Sequence, residues 1–177
     1  MTREELGKAI YESCNIKGEF LLRSGKTATE YFDKYLFEAN PIILAAVAEH
    51  ITPRLPSKVD RLAGLEMGGI PIATAISLQT RIPTLFIRKA AKPYGTCKIA
   101  EGGDFEGTEL VIIEDVVTSG GAVIEAVSVL REQGAIVNHV ICVIDREDSG
   151  GKNLENIGLI FSPLFTKSEL EKHAGVL

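Results

Sequence analysis

The chain has 177 residues, of which 45% are hydrophobic and 24% are charged, and its formal net charge is −5. These values are typical of one globular domain that is large enough to bury a sizeable core. The acidic balance and the lack of a long basic run argue against a nucleic-acid groove. The longest strongly apolar stretch, residues 41–48, is too short to span a bilayer, and the N-terminal residues lack the apolar core of a signal peptide.

Three cysteines, Cys14, Cys97 and Cys142, are scattered along the chain. Their odd number and their spacing match neither a disulfide framework nor a metal-binding motif, so a reducing cytoplasm is the simplest location. No repeat, linker or low-complexity tract interrupts the sequence. We therefore expect a single domain over residues 1–177.

The N-terminal segment predicts a helix and then a short strand. Residues 2–15 place Leu6, Ile10 and Cys14 on one helical face, and residues 18–22 are typical of a strand.

A Gly-Lys-Thr run at residues 25–27 imitates the end of a nucleotide P-loop. The first glycine of that motif would fall at Phe20, so we reject this interpretation. The aromatic pair Tyr31 and Phe32 follows. One ring of the pair is expected in the core, and the other could stack on a flat base.

The middle of the chain predicts a second helix and the first strand of a sheet. Pro41 starts a helix that runs to about residue 50, since proline is tolerated in a first helical turn. A strand at residues 61–65 leads to a loop at residues 66–69, and a helix follows to about residue 78. The paired glycines of this loop permit either a close anion approach or helix packing. A second phosphate-binding loop elsewhere in the chain favours the first interpretation.

Residues 82–87 predict another buried strand, and residues 89–107 then show several glycines and no sustained apolar period. Long loops inside compact domains are often mobile lids over a site. Four cations lie within residues 88–98 of this acidic chain, namely Arg88, Lys89, Lys92 and Lys98. Their concentration favours a pyrophosphate clamp over a solvated basic loop.

The rest of the chain is organised around residues 110–123. An unbroken apolar run at residues 110–113 is typical of a strand buried on both faces, and Glu114 and Asp115 follow where that strand should end. A Thr-Ser-Gly-Gly turn at residues 118–121 leads into a helix. The free N–H groups of a helix N-terminus suit a phosphate, whereas the two carboxylates suit the 2′- and 3′-hydroxyls of a ribose. An ordinary capped connection explains one acid and one glycine, but not this combination.

The C-terminal part predicts a strand at residues 135–144, a Gly-Gly loop at residues 150–151, a last strand at residues 157–161 and a helix at residues 168–173. Strands that alternate with helices imply a parallel sheet with right-handed crossovers.

Residues 111–122 resemble the phosphoribosyl-pyrophosphate (PRPP) signature of the type I phosphoribosyltransferases, and the whole chain resembles the orotate phosphoribosyltransferases. The resemblance implies an α/β fold with a central parallel sheet flanked by helices, whose core lies at residues 58–165. It further implies a small hood from residues 1–37 and a mobile lid loop at residues 89–107.

The resemblance also implies an activity. Ribose 5-phosphate would pass from PRPP to N1 of orotate, giving orotidine 5′-monophosphate and pyrophosphate in de novo pyrimidine (UMP) biosynthesis. The reaction would require Mg²⁺, held mainly on substrate oxygens with no direct protein ligand. The enzyme would be a cytoplasmic homodimer whose lid reaches into the neighbouring subunit's site, with no nucleic-acid or membrane partner.

Individual roles follow from the same resemblance. The implied PRPP-binding residues are Arg88, Lys89, Lys92, Tyr94, Glu114, Asp115, Val116, Val117, Thr118, Ser119, Gly120, Gly121 and Ala122. Among them, Lys89, Lys92, Glu114 and Asp115 are assigned to catalysis. The pyrophosphate loop is Glu66, Met67, Gly68 and Gly69. The orotate-binding residues are Arg23, Tyr31, Phe32, Thr118 and Arg146.

Three positions depart from the family pattern or keep an alternative open. Arg23 stands where many members have lysine, which keeps the charge. Tyr94 stands where many have histidine, which keeps a hydrogen bond to pyrophosphate but puts a proton-shuttling role in doubt. Arg146 suits bidentate recognition of a carboxylate, but an ion pair with Asp145 or Glu147 explains it nearly as well. The alternative functions are a purine-type phosphoribosyltransferase and a PRPP-binding regulator.

Overall fold

The computed structural model describes residues 1–21, 25, 27–89 and 99–177. Its helices are α1 (Arg3–Cys14), α2 (Tyr35–Glu38), α3 (Pro41–Ile51), α4 (Gly69–Thr80), α5 (Gly121–Glu132), α6 (Gly150–Asn156) and α7 (Lys167–His173). Its strands are β1 (Asn15–Leu21), β2 (Thr27–Phe32), β3 (Arg61–Leu65), β4 (Thr84–Ile87), β5 (Ala100–Glu101), β6 (Glu109–Val117), β7 (Ile136–Asp145) and β8 (Ile160–Thr166).

The central sheet has six strands in the order β5-β4-β3-β6-β7-β8. Every neighbouring pair is parallel except β4 and the short edge strand β5, which are antiparallel. The chain enters the sheet at β3, moves outward to β4, and then crosses to the other side of β3 to form β6. The order therefore reverses between β3 and β6, and ligands of such sheets bind at the carboxyl ends of the strands beside that reversal.

Helices cover both faces of this sheet. One face packs against α1, α3 and α4 in a first core cluster, and the other packs against α5, α6 and the segment after residue 98 in a second core cluster. Leu6, Ile10 and Cys14 are fully buried in the first cluster, which confirms the predicted apolar face of α1. Only the antiparallel hairpin of β1 and β2 forms a separate sheet among the described residues.

Local sequence signals explain where several helices begin. At α1 and α7, Thr2 and Thr166 each form a capping box with the glutamate three residues later. At α3, the Asn40 side chain accepts hydrogen bonds from two backbone N–H groups, and Pro41 occupies the first turn as predicted.

Two predicted boundaries are wrong. The acidic pair was taken as the end of a strand, and the paired glycines were taken as a loop. β6 continues to Val117, past Glu114 and Asp115, instead of ending before them. Residues 150–151 are the first turn of α6 and not a loop. A Cβ at Gly150 would meet the Thr118 carbonyl and the Val117 side chain, so this glycine lets α6 lie against the loop after β6.

Two further predictions, those of the last strand and of the long loop, differ from the structure in their bounds. The last strand is β8 at Ile160–Thr166, and it overlaps the predicted residues 157–161 only at its start. The predicted loop at residues 89–107 includes β5, and Ile99, Ala100 and Phe105 are buried in the second core cluster. The scattered apolar residues near the C-terminal end of this predicted loop are therefore sufficient to pack that end against the sheet.

We expect Gly69→Ala to lower the free energy of unfolding by about 1–3 kcal/mol, because the added methyl group would overlap the carbonyl oxygen of Ile113 on β6. The matched control is Gly121→Ala at the start of α5, where the nearest atom, Ser119 Oγ, lies 3.7 Å from the added Cβ. Urea denaturation of the two variants measures the difference. Equal stabilities would contradict the proposed close contact between α4 and β6.

Candidate active site

A cavity of about 510 Å³ lies at the carboxyl ends of β3, β4 and β6, beside the reversal of strand order. We call it the signature cavity. Its polar lining combines cations and carboxyl groups from distant parts of the chain. The lining residues are Lys34, Tyr35, Leu65, Glu66, Met67, Ile87, Arg88, Lys89, Ile99, Glu114, Ala122, Glu125, Ala126 and Val129.

The start of α5 has the properties of an anion site. Gly120 takes a left-handed conformation with φ of 78°, and Thr118, Ser119 and Gly121 are exposed. Among the described residues no side chain caps this helix, so its first N–H groups are available to a ligand. Asn153 of α6 donates from Nδ2 to the Ser119 carbonyl oxygen over 3.0 Å, and this bond holds the loop from below.

The two acids of the signature differ in their surroundings. Glu114 lines the cavity, whereas Asp115 is fully buried. The Asp115 carboxylate forms an ion pair of 2.5 Å with the Lys34 ammonium and also accepts the Val116 N–H. Only Glu114 is therefore presented directly to the cavity in this conformation.

A third carboxyl group, that of Glu38, lies beside this pair and is 7% exposed. Burial, the charge of Asp115 and a hydrogen bond to Asp115 raise the pKa of Glu38 to about 8. Burial, followed by the charge of Asp115, raises the pKa of Glu114 to about 9. Burial lowers the pKa of Lys34, but its hydrogen bond and attraction to Asp115 outweigh burial, and the pKa is raised.

Steric contacts explain why the predicted pyrophosphate loop contains glycine. A Cβ on Gly68 would occupy the space of the Asp115 carboxylate and would come within 2.8 Å of Glu38 Oε1. Gly68 is buried, while Glu66 and Met67 line the signature cavity. The peptide bond between Glu66 and Met67 is cis. The structure thus supplies a packing role for the glycines, and their contact with an anion stays a prediction.

A second cavity of about 450 Å³, which we call the hood cavity, lies between the β1–β2 hairpin, the end of β7 and α7. It brings together three of the predicted orotate-binding residues, Tyr31, Phe32 and Arg146. Tyr31 is 45% exposed, and its ring centroid lies 5.5 Å from that of Phe20. Tyr11, Asn15, Glu30, Ile144, Lys167, Leu170 and Glu171 complete the lining.

The alternative ion pairs of Arg146 are not formed within the described part of the chain. Glu147 Oε2 instead accepts hydrogen bonds from the backbone and hydroxyl of Ser168. Asp145 Oδ1 accepts the Glu147 N–H over 3.0 Å. The exposed Arg146 guanidinium is thus available to a ligand in the hood cavity.

The predicted residues separate into five groups. Glu66, Met67, Arg88, Lys89, Glu114 and Ala122 line the signature cavity, and Tyr31, Phe32 and Arg146 line the hood cavity. Thr118, Ser119, Gly120 and Gly121 form the loop before α5, and Gly68, Gly69, Asp115, Val116 and Val117 lie behind the surface. Arg23, Lys92 and Tyr94 lie outside the described residues.

Val116 and Val117 need a correction as binding residues. Val116 packs against the first core cluster, and Val117 is buried in the second. Their side chains offer no polar contact, and their backbone groups are already engaged: the Val116 N–H donates to Asp115, and the Val117 carbonyl accepts the Arg146 N–H over 2.9 Å.

The sequence reading missed three residues at this site: Lys34, Glu38 and Asn153. Lys34 and Glu38 are four residues apart, a spacing that normally indicates an exposed ion pair on a helix. Asn153 lies in a helix that was not predicted. The membership of these residues in the site depends on tertiary contacts.

Within the described residues, no group of three or more His, Cys, Asp or Glu side chains is arranged to hold a metal ion. The same part of the chain contains no helix with the length and apolarity to cross a membrane.

Comparison with known proteins identifies the class to which this fold and site belong. A family model described as a phosphoribosyl transferase domain matches residues 36–162. The chain therefore belongs to the phosphoribosyltransferase family, and the predicted fold class is confirmed.

Relatives narrow the assignment within that family. The orotate phosphoribosyltransferase of Nocardioides sp. is 52% identical over 158 residues, covering 89% of this chain and 88% of the relative. That of Pyrococcus horikoshii is 41% identical, covering 99% and 96% of the two chains. The crystal structure of Mycobacterium tuberculosis orotate phosphoribosyltransferase in complex with Fe(III) dicitrate has a TM-score of 0.82 and 26% identity, covering 95% of this chain and 98% of that one. These similarities place the chain among the orotate phosphoribosyltransferases.

The raised pKa of Glu38 predicts a stability that depends on pH. The native state keeps the Glu38 proton up to about pH 8, whereas the unfolded chain releases it near pH 4.5, the ordinary pKa of a glutamate side chain. The native state therefore binds more protons in this window, and this group's contribution to stability falls as pH rises. We expect Glu38→Gln, which is permanently neutral, to become increasingly more stable than the wild type between these two pH values.

Urea denaturation at several pH values tests this expectation. The matched control is Glu19→Gln at an exposed position of β1. A stability difference between Glu38→Gln and the wild type that does not change with pH would refute the buried, protonated state of Glu38.

Proposed function

We propose that this protein transfers ribose 5-phosphate from PRPP to orotate, releasing pyrophosphate and forming orotidine 5′-monophosphate. The observation that carries the proposal is the signature cavity, whose lining combines the cations Arg88 and Lys89 with the carboxyl group of Glu114. Cations suit the leaving pyrophosphate, and a carboxyl group suits the ribose. One cavity therefore contains groups that can bind both the pyrophosphate and the ribose of PRPP. The high identity to orotate phosphoribosyltransferases supports the same reaction.

Binding of PRPP uses the two ends of this cavity. The 5′-phosphate lies at the open start of α5, where backbone N–H groups and the hydroxyls of Thr118 and Ser119 donate hydrogen bonds. The ribose hydroxyls donate to the carboxyl group of Glu114, while the fully buried Asp115 carboxylate supplies negative charge close to the ribose. The pyrophosphate lies toward Arg88 and Lys89 and the loop that carries Glu66 and Met67. Lys92 and Tyr94 complete this clamp in our proposal.

The reaction breaks the bond between C1 of the ribose and the pyrophosphate oxygen, whose electron pair leaves with the pyrophosphate. Positive charge develops on the sugar ring and is stabilised by the nearby carboxylate charge. N1 of orotate then supplies the electron pair for the new C1–N1 bond, and the proton that N1 loses passes to an oxygen of the departing pyrophosphate. The cations lower the energy of the departing pyrophosphate, and closure of the segment that follows Lys89 excludes water from the reactive sugar.

Mg²⁺ fits the donor set of this site as a substrate-bound ion. Glu114 Oε2 is buried and accepts no hydrogen bond from the described residues, so a carboxyl oxygen is available beside the cavity. In our proposal phosphate, ribose and water oxygens would supply its shell with no direct protein ligand, and Glu66 and Glu114, which line the cavity, would lie outside that shell. When bound, Mg²⁺ would neutralise charge on the pyrophosphate.

Selection of orotate is assigned to the hood cavity. The Arg146 guanidinium is suited to bidentate contact with the orotate carboxylate, and neutral purines lack such a group. Tyr31 and Phe32 supply aromatic surface for the flat ring, and Arg23 and Thr118 are further orotate contacts in this proposal. A purine acceptor would leave the Arg146 charge without a partner.

We also propose a cytoplasmic homodimer. The family resemblance supports dimerisation with lid residues that reach the neighbouring site. Exposed apolar side chains on α2 and α3, namely Tyr35, Leu36 and Ile42, offer surface for an interface.

The cysteines support a reducing location, since Cys14 and Cys142 are buried and free.

An ultraviolet assay with PRPP and Mg²⁺ tests the reaction and the acceptor together. We expect loss of orotate absorbance, no consumption of hypoxanthine, adenine, xanthine or uracil, and no turnover when Mg²⁺ is chelated. Consumption of a purine would overturn the assignment of Arg146. Tight PRPP binding without turnover of any base would favour the regulator instead.

The clamp role of Lys89 predicts a large kinetic effect. We expect Lys89→Ala to lower turnover by about 10²–10³-fold, because one preorganised charge contact to the leaving group is lost. Lys8→Ala is the matched control, since Lys8 forms only an exposed ion pair with Glu12 on α1. Steady-state kinetics and a thermal melt distinguish a catalytic defect from unfolding. Near-normal turnover of Lys89→Ala would remove Lys89 from the clamp.

A further inference from the structure

Asp115 lies at the centre of the site but has no exposure to solvent. A buried carboxylate without a partner is strongly unfavourable, so the structure must supply a counter-charge. Lys34 supplies it over 2.5 Å, and its own side chain is 33% exposed. This ion pair joins the N-terminal segment to the central strand β6.

Lys34 also lines the signature cavity together with Arg88 and Lys89. Its side chain therefore borders the space assigned to PRPP, while its ammonium holds Asp115. The ammonium also lies 5.2 Å from the ring centroid of Tyr35, which lines the same cavity. Its position is thus fixed by groups on two sides.

Glu38 adds an acid to this arrangement. The cluster of Glu38, Glu114, Asp115 and Lys34 would carry a net charge of −2 with all four groups ionised (three negative charges and one positive charge). Glu38 Oε1 and Glu114 Oε2 are both buried and receive no hydrogen bond from the described residues. If Glu38 and Glu114 are both protonated, the net charge of the cluster becomes zero. Each of the two carboxyl groups then also has an O–H that can donate a hydrogen bond.

We propose that Lys34 and Glu38 are positioning residues for the transfer reaction. Lys34 holds the Asp115 carboxylate in place beside the ribose of PRPP, and Glu38 keeps a neutral carboxyl group against Asp115. This inference rests on the proposed function and adds two residues outside the PRPP signature.

The neutral state of Glu38 ties PRPP binding to pH. The charged and titratable groups that face Glu38 are Asp115 and Glu114 of β6, Lys34 and Asp33 before α2, and Cys14 at the end of α1. Ionisation of Glu38, whose pKa is about 8, adds a negative charge next to a polyanionic substrate and competes with Asp115 for Lys34. PRPP should therefore bind less well as pH rises through this value.

The first experiment compares Lys34→Met, which keeps the aliphatic stem, with Lys34→Arg. We expect Lys34→Met to lower kcat/KM for PRPP by about 10²-fold, as a displaced catalytic group does, and Lys34→Arg to restore part of the loss. The control is Lys58→Met, which breaks an exposed ion pair of 2.7 Å with Glu109. A kcat/KM for Lys34→Met that matches this control would overturn the role of Lys34.

The second experiment measures KM for PRPP from pH 7 to pH 9 in the wild type and in Glu38→Gln. We expect the wild-type KM to rise above about pH 8, while the KM of Glu38→Gln changes less over the same range. The phosphate groups of PRPP titrate with both enzymes, so the difference between the profiles isolates Glu38. Superimposed profiles would overturn its role, and a merely structural residue would not move the profile.

Calorimetric PRPP binding to the same variants separates this inference from the proposed function. A wild type that binds PRPP but transfers to no base refutes the proposed reaction, and the affinities of the variants still decide the roles of Lys34 and Glu38. If Lys34→Met does not fold, the PRPP affinity of Lys34→Arg decides the role of Lys34: weakened binding, with the charge kept but displaced, supports the positioning role, and unchanged binding overturns it.

Discussion

The burial of one carboxylate, that of Asp115, constrains much of the architecture around the site. Because this charge is removed from water, a cation must come from elsewhere in the chain, and Lys34 provides it. The loop after β3 must pass over the same carboxylate, so it has Gly68 where any side chain would collide. Glu38, the last residue of helix α2, lies beside the same carboxylate. The N-terminal segment, the pyrophosphate loop and the PRPP signature are thus fitted around a single ionised group.

Most of the fold could be predicted from the sequence because its signals are local. The periodicity of α1, the proline at the start of α3 and the apolar runs of β3 and β7 each depend on residues within one element. β6 was predicted too short because two acids ordinarily end a buried strand, whereas here Lys34 compensates one of them. Helix α6 was missed because Gly150 resembles a loop residue, and its reason is a contact with the carbonyl of Thr118.

The candidate site was predictable only where its residues are contiguous. The stretch from Glu114 to Ala122 contains strand, acids, loop and helix in one run, and its chemistry can be inferred without a structure. Arg146 was assigned from the family resemblance, which its position at the end of a strand supports, and the hood cavity shows which aromatic residues lie near it. Lys34 and Glu38 could not be found in this way, because their partner Asp115 is remote in sequence and their own spacing is that of a surface pair.

The hydrogen bond from the Arg88 N–H to the Ile99 carbonyl, 2.8 Å long, fastens together the two ends of the segment between these residues. β5 and the buried side chains after it hold one end, and β4 holds the other. Since the entropy of closing a loop grows only with the logarithm of its length, residues can be gained or lost between these fixed points with little effect on the sheet. The segment between Arg88 and Ile99 can therefore change in length as well as in sequence during evolution, while the sheet that it leaves and rejoins is preserved.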